Sequence, residues 1–257
     1  MKIAYVEAGH GTPLVLLHAF PLTASMWAAQ LEGLSDHCRL IAPDQRGFGA
    51  SPPVDEAEPD LGAVAEDLRE LLDTLGLDRV VLGGVSMGGY VAFQFLRRYP
   101  ARVAGLLLAD TRATPDAPAA AANRHRIADA VLAAGHTGLL ASEVVPNLLG
   151  DTTRWQRPDL YETVADQARR YAPEAVAWTE RAMAARADST DLLAAITVPT
   201  LVVVGEQDVI TPPEEVEAMA AAVPGAVVRL FPAAGHLTPL EAPERFNAAV
   251  RSLLSRL

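Results

Sequence analysis

Several function classes are closed to this chain by what it lacks. Cys38 is the one cysteine in 257 residues, which excludes an internal disulfide framework and a cysteine metal cage. Lysine is nearly absent too: of 21 basic residues only Lys2 is a lysine, and 32 acidic residues leave a formal net charge of −11. So acidic a chain offers no basic cradle for nucleic acid or for an anionic lipid surface. No apolar run reaches the roughly 18 residues of a membrane span. The opening residues, MKIAYVEAGHG, lack the h-region and small-residue cleavage site of a secretory leader, so a cytoplasmic location is expected. What is present is globular: half of the residues are hydrophobic and 21% are charged, in a chain sized for one large domain or two small ones.

Short β-branched apolar runs alternate with longer helical patterns. Strands are expected over 3–6, 14–18, 39–42, 80–84, 103–109, 201–205 and 227–231. Most of these runs are continuously apolar, as strands buried on both faces of a parallel sheet are. Over 61–75 the apolar residues Leu61, Val64, Leu68, Leu71, Leu72 and Leu75 recur three and four apart, and Gly76 follows as a stop. Further helices are expected over 87–98, 213–223 and 243–254. The alternation argues for an α/β fold, a mostly parallel, doubly wound sheet with helices on both faces. Between 111 and 195 no strand-forming run occurs, only alanine-rich helical patterns punctuated by prolines. This stretch reads as a helical insertion, or cap, within a core formed by 1–110 and 196–257.

The expected strand at 80–84 runs straight into Gly84-Val85-Ser86-Met87-Gly88, and a helix follows at once. G-x-S-x-G between strand and helix is a nucleophile elbow: a turn too tight for flanking Cβ atoms holds the serine clear of the sheet. The adjoining helix N-terminus presents unpaired N–H groups and partial positive charge, suited to an oxyanion. Ser86 is therefore the candidate nucleophile. A serine hydroxyl needs a base, and six histidines are available. His10 precedes a glycine in an expected N-terminal hairpin turn, His37 adjoins Cys38, and His125 and His136 fall in the insertion on faces that read as solvated. His18 ends a strand. His236, in Ala233-Ala234-Gly235-His236, follows the last strand, and loops at the carboxyl ends of parallel strands are where such sheets build sites; it is the candidate base. A carboxylate must orient the imidazole. Asp208 follows the strand at 201–205 and has the short reach of a tight loop; Glu206 and Asp110 are the alternatives.

Five segments in this order, HAFP at 18–21, DQRGFGAS at 44–51, GVSMGG at 84–89, GEQD at 205–208 and AAGH at 233–236, resemble the α/β-hydrolase superfamily over nearly the whole chain. The likeness is to its cap-bearing serine hydrolases: small esterases, 3-oxoadipate enol-lactonases and cofactor-free haloperoxidase or perhydrolase-type proteins. The resemblance implies a Ser86–His236–Asp208 triad, with oxyanion N–H groups from Phe20 and Met87. It makes His18 a structural support of the oxyanion loop and DQRGFGAS mainly architectural. Ala19 stands where the family usually has glycine.

The implied activity is hydrolysis of a carboxylic ester or lactone through an acyl-enzyme, with no metal or cofactor. The same triad also serves perhydrolysis and hydrolytic C–C cleavage, and a slow-turnover ligand receptor of this fold is a further possibility. A serine at 86 argues against the dehalogenases and epoxide hydrolases of this fold, whose chemistry needs a carboxylate there. The cap is expected to roof the site. Candidate pocket residues are Leu140, Val144, Leu148 and Trp178, with Leu139 and Trp155 beside them, and Trp27, Ile210 and Leu237 from the core. Arginines 124, 126, 154, 157, 169 and 170 are candidates for a substrate carboxylate, or else line a solvated face. The expected partner is the small-molecule substrate, bound by a monomer or a homodimer.

Overall fold

The apolar runs become seven strands: β1 (Tyr5–Ala8), β2 (Pro13–Leu17), β3 (Arg39–Pro43), β4 (Val80–Val85), β5 (Val103–Ala109), β6 (Thr200–Gly205) and β7 (Val227–Phe231). In this computed structural model, which describes residues 2–54 and 58–257, they form one sheet in the order β1-β3-β2-β4-β5-β6-β7. Met1 and 55–57, inside the segment expected as core, lie outside the described residues. From β3 to β7 neighbouring strands are parallel, and β1 runs antiparallel along β3. The hairpin expected around His10 is therefore absent, because β1 and β2 are not partners. The central strands β2, β4, β5 and β6 are buried along nearly their whole length, whereas the edge strands β1 and β7 are largely open. Covering of both faces explains their unbroken apolar sequences.

The helices covering the sheet are α1 (Ala28–Gly33), α2 (Leu61–Thr74) and α3 (Met87–Arg98), and, in the C-terminal part, α10 (Pro213–Ala221), α11 (Thr238–Glu241) and α12 (Pro243–Leu254). The periodicity of α2 buries Leu61, Val64, Leu68, Leu71 and Leu72. Its N-terminus is capped by Asp60, whose side chain accepts from the Gly62 N–H at 2.7 Å. α2 packs on α3, and α1 packs on α11 and α12.

Between β5 and β6 the described residues form helices and no strand: α4 (Pro118–Ala134), α5 (Gly138–Glu143), α6 (Asp151–Gln156), α7 (Pro158–Ala168), α8 (Pro173–Ala184) and α9 (Thr190–Leu193), with a 3₁₀ turn at Val145–Asn147. Proline opens α4, α7 and α8 at the first helical position, where its missing N–H costs nothing. Helices α4 and α8 make the most extensive contact of this region. No helix among the described residues is long and apolar enough to cross a membrane.

Candidate active site

Ser86 sits between β4 and α3 with φ 53° and ψ −115°, a backbone region that non-glycine residues rarely occupy. It is held there by hydrogen bonds from its N–H to the Ala109 carbonyl (3.0 Å) and from the Thr111 hydroxyl to its own carbonyl (2.8 Å). The flanking glycines are required by close approach. A Cβ on Gly84 would lie 2.1 Å from the Gly88 carbonyl carbon, and one on Gly88 would lie 2.3 Å from the Leu17 oxygen. Met87 opens α3, so its N–H has no intrahelical partner.

Asp208 and His236 come from the loops after β6 and β7. The imidazole Nδ1 donates to Asp208 Oδ2 at 2.7 Å, with both side chains buried. The carboxylate is otherwise fully used: Oδ1 accepts the Ile210 and Thr211 amides (2.8 and 2.9 Å), and Oδ2 also accepts the Thr211 hydroxyl (2.6 Å). Burial opposes its charge, yet His236 and the Thr211 hydrogen bonds prevail and hold the carboxyl below its ordinary range. His236 Nε2 has no hydrogen-bond partner among the described residues. Ser86 and His236 line one cavity, without a hydrogen bond between them; such bonds are commonly long before substrate arrives. The two alternative carboxylates are engaged elsewhere. Glu206 accepts from the Ala233 amide. Asp110 accepts from the Gly205 amide on one oxygen and from the Thr238 amide and hydroxyl on the other.

His18 is buried with both nitrogens occupied: Nδ1–H donates to the Ala19 carbonyl (3.0 Å), and Nε2 accepts from the Gln45 amide (2.9 Å). Burial lowers its pKa to about 4, so it is a neutral strut for the loop that carries Phe20. The turn at 44–51 is architectural. Asp44 accepts the Ala24 and Ala50 amides, and Arg46 pairs with Asp67 in the interior at 2.7 Å.

The cavity holding Ser86 and His236 has a volume of about 510 Å³. Phe20, Val209 and Ile210 line it from the core, and Ile127, Val144, Leu148 and Met183 from the helical region above. Val144, Leu148 and Ile210 thus lie where the sequence suggested. Six other candidates, Leu139 among them, do not line it. Trp27 is buried against Phe246, with ring centroids 5.9 Å apart. Leu140 and Leu237 are wholly buried in the core, and Trp178 is buried with the Arg46 guanidinium 5.5 Å from its ring. Trp155 is 84% exposed. Helical spacing marks a buried face, but not whether it meets neighbouring side chains or an internal space.

Of the six arginines considered for a carboxylate, only Arg124 and Arg126 reach this cavity, and each already has an acidic partner. Arg124 bonds Asp116 and Glu180, and Arg126 bonds Glu143. Glu143 and Glu180 also line the cavity, so its polar wall is balanced in charge. Asn123, Asn147 and Thr211 are further residues that sequence reasoning did not single out. Among the described residues no group of three or more His, Cys, Asp or Glu side chains is arranged to hold a metal ion.

The family model of the alpha/beta hydrolase fold matches residues 12–243. The chain belongs to this family. Among solved alpha/beta hydrolases, a thermophilic esterase from Thermogutta terrifontis (malate bound) is 47% identical with a TM-score of 0.95, the match covering 98% of this chain and 93% of that one. The enol-lactonase from Burkholderia xenovorans LB400 is 26% identical with a TM-score of 0.88, over 98% and 96% of the two chains. A soluble epoxide hydrolase from Corynebacterium sp. (strain C12) is 41% identical over 98 residues, which is 37% of this chain and only 32% of that protein.

Proposed function

We propose that this alpha/beta hydrolase cleaves carboxylic esters or lactones through an acyl-enzyme on Ser86. The observation that carries the reading is the Asp208–His236 hydrogen bond of 2.7 Å, beside an unpartnered imidazole Nε2 on the cavity that Ser86 lines. Similarity to an esterase and to an enol-lactonase over nearly the full chain supports the substrate class. The likeness to an epoxide hydrolase does not bring that reaction with it, because epoxide opening in this fold uses a carboxylate where this chain has Ser86.

In the proposed cycle Nε2 takes the Ser86 proton as Oγ attacks the carbonyl carbon, and the Phe20 and Met87 amides receive the oxyanion. The imidazolium, steadied by Asp208, then protonates the leaving alkoxide. Water repeats the sequence on the acyl-enzyme and releases the acid. Asp208 keeps the proton-accepting Nε2 turned toward the cavity by fixing the Nδ1–H tautomer.

A fluorophosphonate tests the nucleophile directly. One equivalent is expected to attach to Ser86, and Ser86→Ala to fold normally, take no label and lose on the order of 10⁴–10⁶ in kcat on p-nitrophenyl acetate. Label at another residue, or a mutant of undiminished activity, overturns the assignment. Turnover far below about 1 s⁻¹ on every ester tried would favour a binding role over catalysis.

A further inference from the structure

We propose that Glu241 is a positioning residue, whose one carboxylate fixes the backbone on both sides of His236 and ties that loop to the helical roof; the inference rests on the acyl-enzyme reading above. Glu241 ends α11, five residues beyond His236. Its Oε1 accepts the amide just before the imidazole, Gly235 N–H at 2.9 Å, and the amide just after it, Leu237 N–H at 3.1 Å. Its Oε2 accepts the Gly150 N–H at 2.9 Å, at the start of α6. All three donor residues are buried, so without Glu241 three amides would be left unpaired away from water.

The surrounding packing gives this carboxylate its leverage. A Cβ on Gly205 would meet the Gly235 oxygen at 2.0 Å, and one on Gly235 would meet the Gly150 nitrogen at 2.2 Å. The strand end leading to Asp208, the His236 loop and the first residue of the α6 approach are thus stacked backbone on backbone. Two further ties reinforce the same seam. The Gln207 amide group exchanges hydrogen bonds with Thr152 (3.0 Å from Thr152 N–H, 2.8 Å to its hydroxyl), and Arg157 donates to the Leu240 carbonyl at 3.0 Å. Glu241 is the side chain that holds both loop amides beside His236 as well as the roof. A small displacement of that loop moves Nε2 relative to Ser86, and about 1 Å of misplacement costs on the order of 10²-fold in rate.

Two variants separate the two roles. Glu241→Ala removes every acceptor. We expect kcat per fluorophosphonate-titrated site to fall about 30- to 100-fold, with KM changed less than about threefold. Glu241→Gln keeps one oxygen for the loop amides but turns an NH₂ toward the Gly150 N–H. Its kcat should stay within about threefold of the parent while KM rises, because only the roof is released. In proton NMR, the downfield Nδ1–H signal of the His236–Asp208 pair should broaden in Glu241→Ala and persist in Glu241→Gln. Wild-type kcat per titrated site together with an unaltered signal in Glu241→Ala would refute the proposal. If that variant does not fold, a Glu241→Gln protein whose kcat collapses, or whose KM is unmoved, refutes it instead. Failure of the wild type to label at Ser86 would strike the acyl-enzyme reading alone, since the NMR signal still reports on the loop.

Discussion

Two buried aspartates stand at neighbouring strand ends, and their hydrogen-bond partners give them different work. Asp208 meets the imidazole, whereas Asp110 spends its oxygens on Gly205 and Thr238. Burial, and then the charge of Asp208, holds the Asp110 carboxyl well above the ordinary carboxylate range, which suits a group that braces loops rather than one that stabilises an imidazolium. Asp208→Asn is expected to cost about 10⁴ in kcat through the wrong imidazole tautomer. Asp110→Asn should cost less than about tenfold, since Asn still accepts one of these bonds. Steady-state rates on titrated sites decide, and a larger loss at Asp110 would reverse the assignment. Much of this site was legible from single residues: a serine in an elbow, a histidine after the last strand, a short carboxylate in a tight loop. Thr211 was legible in principle, because Asp-x-x-Thr is a local turn in which an aspartate accepts from amides two and three residues on. Glu241 was not, because its partners are backbone amides, one of them 91 residues away in the chain.

Among the elements, the β4–α3 turn leaves no room for a side chain at its first glycine. Because the Cβ of an alanine at 84 would collide with backbone at Gly88, neither side chain nor rotamer can yield. Gly84→Ala is expected to destabilise the protein by more than about 3 kcal/mol, read as a lowered urea midpoint at unchanged m. A midpoint within experimental error of the parent would mean that the turn can open. The strands and the helices α2, α3, α10 and α12 were readable because their apolar periods carry over directly into burial, whereas α1 and α11 span only six and four residues and were not expected. The partner of β1 was not, since an edge strand of exposed Tyr5 and Val6 carries no register signal. The cavity wall was half readable. Val144, Leu148 and Ile210 are apolar residues close to loops, but Asn123 and Glu180 lie on α4 and α8, where polar residues ordinarily read as solvated.

At the scale of the whole molecule, stability should respond to acid through His18. Its folded pKa, about 4, lies below the ordinary 6.5, so the unfolded chain binds the extra proton first. Stability is complete above about pH 6.5 and falls as pH drops toward 4, by about 3 kcal/mol in all. Asp110 acts in the opposite sense, its raised pKa favouring the fold at lower pH. The stability difference between wild type and His18→Gln isolates the histidine: it should shrink by about 3 kcal/mol between pH 7 and pH 4 in urea titrations. A difference that stays constant across that window would show that His18 takes up its proton without strain.

The helical roof leaves the sheet at the end of β5 and returns at the start of β6, and these two strands are parallel neighbours. It is topologically an overgrown crossover of the kind every parallel pair requires. Lengthening such a link adds closure entropy only logarithmically. Exchange of this segment for one of another length is expected to leave strand order and elbow alone while replacing the cavity wall it supplies, provided the incoming piece brings a backbone amide where Gly150 now meets Glu241.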